Sequence, residues 1–241
     1  MGIRNKVAIV TGASMGIGEA TARLLTKKGA KVALVARSKA KLEKLSKELS
    51  GSLAVVCDMT DPAAIKKMVK KVFKHFGRID VLVNNAGRGY DAPIEEIEID
   101  KFDKLIELDL KAPLIAMQEV IPFMKKNKSG SIINISSGTA LMALPGMAAY
   151  SSLKRALVGI SLTAREELKS DNISVSVIYP YVTITNFDKN TLKNTGEREG
   201  DSDWINHLQP PADTAEYIAE KIIKAIETGV AEIYAHDWMK E

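Results

Sequence analysis

Short apolar runs rich in β-branched residues recur along the chain: VAIVTG at 7–12, VALVAR at 32–37, LAVVCD at 53–58, VLVNNAG at 81–87, SIINISS at 131–137, SVSVIYP at 174–180 and EIYAH at 232–236. Their length and unbroken hydrophobicity predict parallel strands buried on both faces. The stretches between them change period. From 61 to 77, Ile65, Met68, Val69, Val72, Phe73 and Phe76 keep helical spacing, with Asp61 at the N-cap, Pro62 in the first turn and Gly77 at the stop. Further helices are predicted at about 16–28, 40–49, 102–126, 150–169 and 212–228.

Strand and helix in alternation, joined by right-handed crossovers, place helices on both faces of one sheet. The expected fold is therefore α/β, a Rossmann-like doubly wound parallel sheet of about seven strands, and 241 residues suit one such domain spanning 1–241 better than two small ones. The segment 186–211 breaks the pattern, because NFDKNTLKNTGEREGDSDWINHLQPP is polar, glycine-punctuated and weakly periodic. It is expected to form a mobile substrate lid over the strand ends, with a plain surface loop as the other reading.

Composition narrows the function classes. Lys and Arg number 34 against 30 Asp and Glu, a net charge of +4, and the lysines are scattered along helices instead of forming a block, which gives no support to nucleic-acid binding. Cys57 is the single cysteine, so no internal disulfide forms, and a reducing cytoplasm is the default location. The N-terminus reads as the first strand and not as a signal peptide, and charge or glycine cuts every apolar run short of a membrane span. His75, His207 and His236 show no metal-ligand spacing, and no metal is expected.

The chemistry concentrates at strand ends. Gly12, Gly16 and Gly18 in TGASMGIG stand between the first strand and a helix, where missing side chains let backbone N–H groups and the helix dipole approach a pyrophosphate. A merely tight connection is the plainer reading of such a turn. Tyr150 and Lys154 are four residues apart on a predicted helix and so share a face. With Ser137 they supply a proton donor, a cation that tunes it and a substrate anchor. A nearby ammonium, together with the charge of an oxidised nicotinamide, is expected to lower the phenol from its ordinary value of about 10.

These motifs, with Asp58 after the third strand and NNAG at 84–87, resemble the short-chain dehydrogenase/reductase family over nearly the whole chain. The resemblance implies a nicotinamide dinucleotide held by Gly12, Ser14, Met15, Gly16, Ile17 and Gly18 at the pyrophosphate. It further implies Asp58 and Met59 at the adenine, and Asn85, Ala86 and Gly87 beside the adenosine ribose. Pro180, Thr183 and Thr185 would lie at the nicotinamide, and Lys154 would bond its ribose. Hydride transfer to a carbonyl carbon is implied, with Tyr150 protonating the oxygen that Ser137 holds. Asp58 as a simple turn acceptor stays open. An acid at the end of the second strand would bond a ribose 2′-hydroxyl, but Ala36 and Arg37 stand there, which favours NADP(H) over NAD(H). A solvent-facing Arg37 is the competing reading.

Two departures from the family pattern stand out. Asp109 in IELDLKAP occupies the place of a usual asparagine, so a proton relay there must differ, and an exposed or capping aspartate is the alternative. Tyr181 follows Pro180 where the family often has glycine, and it could narrow the pocket, stack near the nicotinamide or pack against the lid. Leu141, Met142, Pro145 and Met147, with Tyr181, predict an apolar pocket mouth for a small carbonyl or alcohol, although Arg88 and Tyr90 leave room for an anionic tail. The resemblance also implies a homo-oligomer, a dimer or tetramer, paired through the long helices. The principal expectation is an NADP(H)-dependent carbonyl reductase or alcohol dehydrogenase. The alternative is an NADP(H)-binding sensor without significant turnover, and the chain is too short for a nucleotide-sugar epimerase.

Overall fold

The computed structural model describes residues 1–193 and 211–240. Its strands in chain order are β1 (Val7–Thr11), β2 (Lys31–Ala36), β3 (Leu53–Val56), β4 (Val81–Asn84), β5 (Tyr90–Asp91), β6 (Gly130–Ile135), β7 (Ile173–Tyr179), β8 (Leu192–Lys193) and β9 (Glu232–Tyr234). Seven of them form one parallel sheet in the order β3-β2-β1-β4-β6-β7-β9, while β5 and β8 pair with each other. The helices are α1 (Gly16–Lys27), α2 (Lys39–Glu48), α3 (Pro62–Phe76), α4 (Ile99–Ile106), α5 (Ala112–Asn127), α6 (Ala148–Leu168), α7 (Phe187–Asn190) and α8 (Ala215–Thr228).

Alternation along each strand divides the core into two layers. Ala8, Val10, Val32, Leu34, Val83 and Ile133 face α1, α2 and α8, where Leu25, Leu42 and Ile222 meet them. Val7, Ile9, Ala33, Val35, Leu82 and Ile132 face α3 and α5, packing on Ile65, Met68, Val72 and Met117. This is the doubly wound parallel sheet that the strand pattern predicts. The α3 signals also act as expected: the Ala63 N–H donates to the Asp61 carboxylate at 2.8 Å, and Gly77 ends the helix in the left-handed region at φ 77°.

The structure differs at two places in the helix pattern. The helix expected at 102–126 begins at Ile99 and is interrupted by a π-helical turn, Glu107–Lys111, between α4 and α5. Pro113 has no N–H to offer the carbonyl of Asp109 four residues back, so the ladder widens there. The last helix starts at Ala215 instead of 212, because the Thr214 hydroxyl accepts from the Tyr217 N–H at 3.1 Å and so sets the cap. Of the lid expected at 186–211, residues 194–210 lie outside the described residues, and the remainder forms α7 and β8. No helix among the described residues is long and apolar enough to cross a membrane.

At the N-terminal edge of the sheet, Asp80 is fully buried and accepts from the Val7 N–H at 2.9 Å and from Arg78 at 2.8 and 2.6 Å. It fastens the start of β1 to the approach to β4. Asp80→Ala strands the buried Val7 N–H and is expected to cost about 2 kcal/mol, read as a lowered midpoint in urea unfolding.

Candidate active site

Sheet order reverses between β1 and β4, and the crevice opened at their C-terminal ends is where open α/β folds receive ligands. The glycine loop leaves β1 directly into this crevice. Gly12 and Gly16 take positive φ values, +67° and +56°, that suit glycine. A Cβ on Gly12 would stand 2.8 Å from Asn85 Nδ2, and one on Gly16 would stand 3.1 Å from the Thr185 methyl. One on Gly18 would collide with the carbonyl of Gly12. The chain therefore leaves a bare backbone cradle at the start of α1, whose first N–H groups have no intrahelical acceptor. Ser14, Met15 and Ile17 lie on this turn, half-buried.

Neighbouring strand ends hold the cradle rigid. The Thr11 hydroxyl accepts from the N–H groups of Asn85 and Ala86, both at 3.0 Å, and Asn85 Nδ2 donates to the Thr11 carbonyl at 2.9 Å. Arg37 and Asp58 stand at the adjoining ends of β2 and β3, linked by the Cys57 N–H to Ala36 carbonyl bond of 3.0 Å. Thr60 donates its N–H and hydroxyl to one Asp58 oxygen at 2.9 and 2.8 Å. The Thr60 N–H bond is the main cause of an Asp58 carboxyl lowered below its usual range, and the Arg37 charge adds to it. Asp58 is thus a turn acceptor, with Met59 buried beside it, while Arg37 is exposed and makes no hydrogen bond among the described residues.

At the end of β6 the chemistry-bearing side chains meet. Tyr150 and Lys154 are 6% and 5% exposed and project from one face of α6. Lys154 Nζ lies 3.0 Å from Asp109 Oδ1, donates to the Ile135 carbonyl at 3.2 Å and stands 5.5 Å from the centre of the Tyr150 ring. Asp109 is fully buried in the π-helical turn, so the exposed or capping aspartate is not what the fold contains. Its two oxygens also accept from the Arg88 N–H, at 3.4 and 3.1 Å. Ser137, at the end of β6, accepts from the N–H and hydroxyl of Thr139 at 3.2 and 3.0 Å.

Among the protein's own groups, Lys154 does not by itself lower the Tyr150 phenol. Burial pushes the phenol up, the Asp109 carboxylate adds to that, and Lys154 and Ser137 pull the other way without prevailing. Burial alone would discharge Lys154, but Asp109 and the Tyr150 oxygen outweigh it and hold the ammonium above its ordinary range.

Phe187, Asn190 and Arg155, which the sequence did not single out, stand in this region beside residues that it did. Phe187 of α7 packs on the Tyr150 ring with centroids 5.7 Å apart, and Arg88 Nε donates to the Asn190 carbonyl at 2.7 Å. This segment is strapped to Gly89 by the Leu192 N–H at 3.0 Å, and it reaches the glycine loop where Asn190 Nδ2 meets Met15 Sδ at 3.8 Å. Arg155, next to Lys154, donates to the carbonyls of Ala140 and Met142 at 2.8 and 2.9 Å and fixes the loop that carries Leu141. Met147 packs near Tyr150, and Leu141 is exposed. Tyr181 lies edge-on to His236 and Trp238 of the C-terminal tail, at 5.7 and 5.3 Å. Thr185 accepts from the Phe187 N–H at 3.1 Å, Thr183 bonds the Tyr181 carbonyl at 2.8 Å, and the Pro180 carbonyl takes the Gly138 N–H at 2.8 Å. No sequence signal marks Phe187; its role depends on the β5–β8 pairing.

Comparison with known proteins gives a consistent picture. A family model described as short chain dehydrogenase matches residues 6–196. The chain is 38% identical over 184 residues to a 3-oxoacyl-[acyl-carrier-protein] reductase of Thermotoga maritima, covering 75% of each. Among solved structures it is similar to a 3-ketoacyl-(acyl-carrier-protein) reductase of Brucella melitensis complexed with NADH, at TM-score 0.87 and 26% identity over 97% of this chain and 98% of that one. It is also similar to an alcohol dehydrogenase from the archaeon Thermococcus sibiricus complexed with 5-hydroxy-NADP, at TM-score 0.83 and 27% identity over 96% of each chain.

The glycine cradle yields a direct test. Gly18→Ala places a methyl group against the Gly12 carbonyl, and dinucleotide affinity measured by calorimetry is expected to fall at least about tenfold, or ~1.4 kcal/mol.

Proposed function

The chain belongs to the short-chain dehydrogenase family and is an oxidoreductase of that family; from this premise we propose that it interconverts a small carbonyl compound and the corresponding alcohol with NADP(H). The observation that carries the reading is the buried set of Tyr150, Lys154 and Ser137 at the end of β6, beside a glycine cradle with room for a pyrophosphate. The bound nicotinamide supplies or takes up the hydride. Tyr150 gives its phenolic proton to the developing alkoxide oxygen, Ser137 holds that oxygen, and Lys154 orients the tyrosine and the cofactor ribose. Burial of the phenol excludes water from the proton's path.

NADP(H) is favoured because the exposed guanidinium of Arg37, and no carboxylate, ends β2. Gly12, Ser14, Met15, Gly16, Ile17 and Gly18 would hold the pyrophosphate, Asp58 and Met59 the adenine, Asn85 to Gly87 the adenosine ribose, and Pro180, Thr183 and Thr185 the nicotinamide. Leu141, Met147 and Tyr181 would line an apolar mouth for the substrate. We read the chain as one catalytic domain working in the cytoplasm. The groove between α5 and α6, lined by Leu114, Met117, Ile160 and Ala164, supports pairing with a second copy.

Tyr150→Phe is expected to lower turnover of NADPH with a ketone and aldehyde panel by about 100-fold or more while cofactor affinity stays within a few-fold. Activity that survives this change sinks the assignment. Arg37→Glu should cut the kcat/KM preference for NADPH over NADH by about tenfold, since one lost charge pairing is worth ~1.4 kcal/mol or more. Light scattering at micromolar concentration should return a dimer or tetramer, and a monomer there contradicts the pairing.

A further inference from the structure

We propose that Asp109 is an electrostatic positioning residue that keeps the Tyr150 phenol protonated in the free protein, by cancelling the Lys154 cation across a buried ion pair. The inference rests on the reading of Tyr150 as acid/base and gives that site a direction. Asp109 Oδ1 stands 3.0 Å from Lys154 Nζ, and both side chains are shut away from water. The pair fits only because residue 87 is glycine: a Cβ there would lie 2.7 Å from Asp109 Oδ1 and 3.3 Å from Lys154 Nζ.

The groups that face the phenol can be followed element by element among the described residues. Helix α6 supplies Lys154, the π-helical turn supplies Asp109, and the end of β6 supplies the Ser137 hydroxyl. Burial raises the Asp109 carboxyl, and against it act first Lys154 and then Arg88, from the segment after β4, through its N–H and charge. From α7 comes Phe187, which is uncharged and covers the ring. An asparagine at 109 would still accept from the Arg88 N–H but would leave the ammonium uncancelled, free to draw the phenol toward phenolate. With a carboxylate there, the pair is neutral as a unit, and burial decides in favour of the phenol. On the Tyr150 phenol burial acts most strongly and upward, the Lys154 cation next and downward, and Asp109 offsets part of the Lys154 pull. A site so arranged is set to donate a proton, as carbonyl reduction requires, and it opposes alcohol oxidation until pH rises.

Tyrosinate absorbance of the cofactor-free chain, taken as the difference between a protein and its Tyr150→Phe counterpart, reads this phenol alone. The wild-type phenol is expected to stay mostly protonated at about pH 10, where an ordinary tyrosine is half ionised. In Asp109→Asn its midpoint should move to lower pH, and the pH dependence of alcohol oxidation should move the same way. A wild-type phenol half ionised at or below that pH overturns the proposal, as does a midpoint that stays or rises in Asp109→Asn. The wild-type titration needs no change at 109 and can still overturn the proposal if the variant fails to fold. It needs neither cofactor nor turnover, so its outcome is separate from that of the oxidoreductase reading, which fails if the wild-type chain turns over no carbonyl or alcohol.

Discussion

A buried ammonium constrains this molecule more than any other single group. Lys154 is 5% exposed, and an unpaired cation in such surroundings would cost several kcal/mol. Its partners therefore come from elements distant in sequence: the Ile135 carbonyl ends β6, and Asp109 arrives from the middle of a long helix. Each partner imposes a further requirement. Asp109 reaches inward from a π-helical turn, residue 87 must lack a side chain to admit the pair, and the Arg88 N–H donates to the other oxygen of the carboxylate. The ends of β4 and β6, α6 and the α4–α5 helix are locked together by one charge.

That lock explains which parts of the protein were legible from its residues. The seven strands announced themselves as apolar runs because a parallel sheet covered on both faces needs no polar alternation. Asp61, Pro62 and Gly77 marked α3 because caps are local chemistry. Glycine spacing located the cradle, and Tyr150 and Lys154 lay within one helical turn. What stayed hidden depends on packing between distant segments. The π-helical turn is a slip of register within an uninterrupted helical pattern, and β5 and β8 are two residues each, too short to carry a period. Phe187 reaches Tyr150 only once that small pair forms. The direction in which the phenol shifts needed burial and distances, since the sequence offered a lysine and an aspartate but not the burial that outweighs the lysine.

The glycine cradle and the segments beyond the ends of β6 and β7 are built on different principles. Backbone atoms, glycines and strand ends make up the former, with Thr11 and Asn85 bonding across the crevice, and small changes there meet main chain that cannot give. The latter lean on one another: the loop after β6 pinned by Arg155, the stretch from Thr185 to Lys193, and the tail through Trp238. Such segments can change shape or length without disturbing the sheet.

The distribution of exposed apolar groups follows from this division. Leu141 is 40% exposed and Trp238 43%, on the loop after β6 and on the tail, which come together where Met239 meets Gly138, while Ile184, 64% exposed, stands just before Thr185. Apolar surface held in water without a partner works against solubility and favours a partner that covers it. Under the proposed function, a carbonyl compound with an apolar body would cover more of it than a compact hydrophilic one. The fold thus holds Ser137, Tyr150 and Lys154 at fixed strand ends and leaves apolar faces that the core does not use on segments outside the sheet.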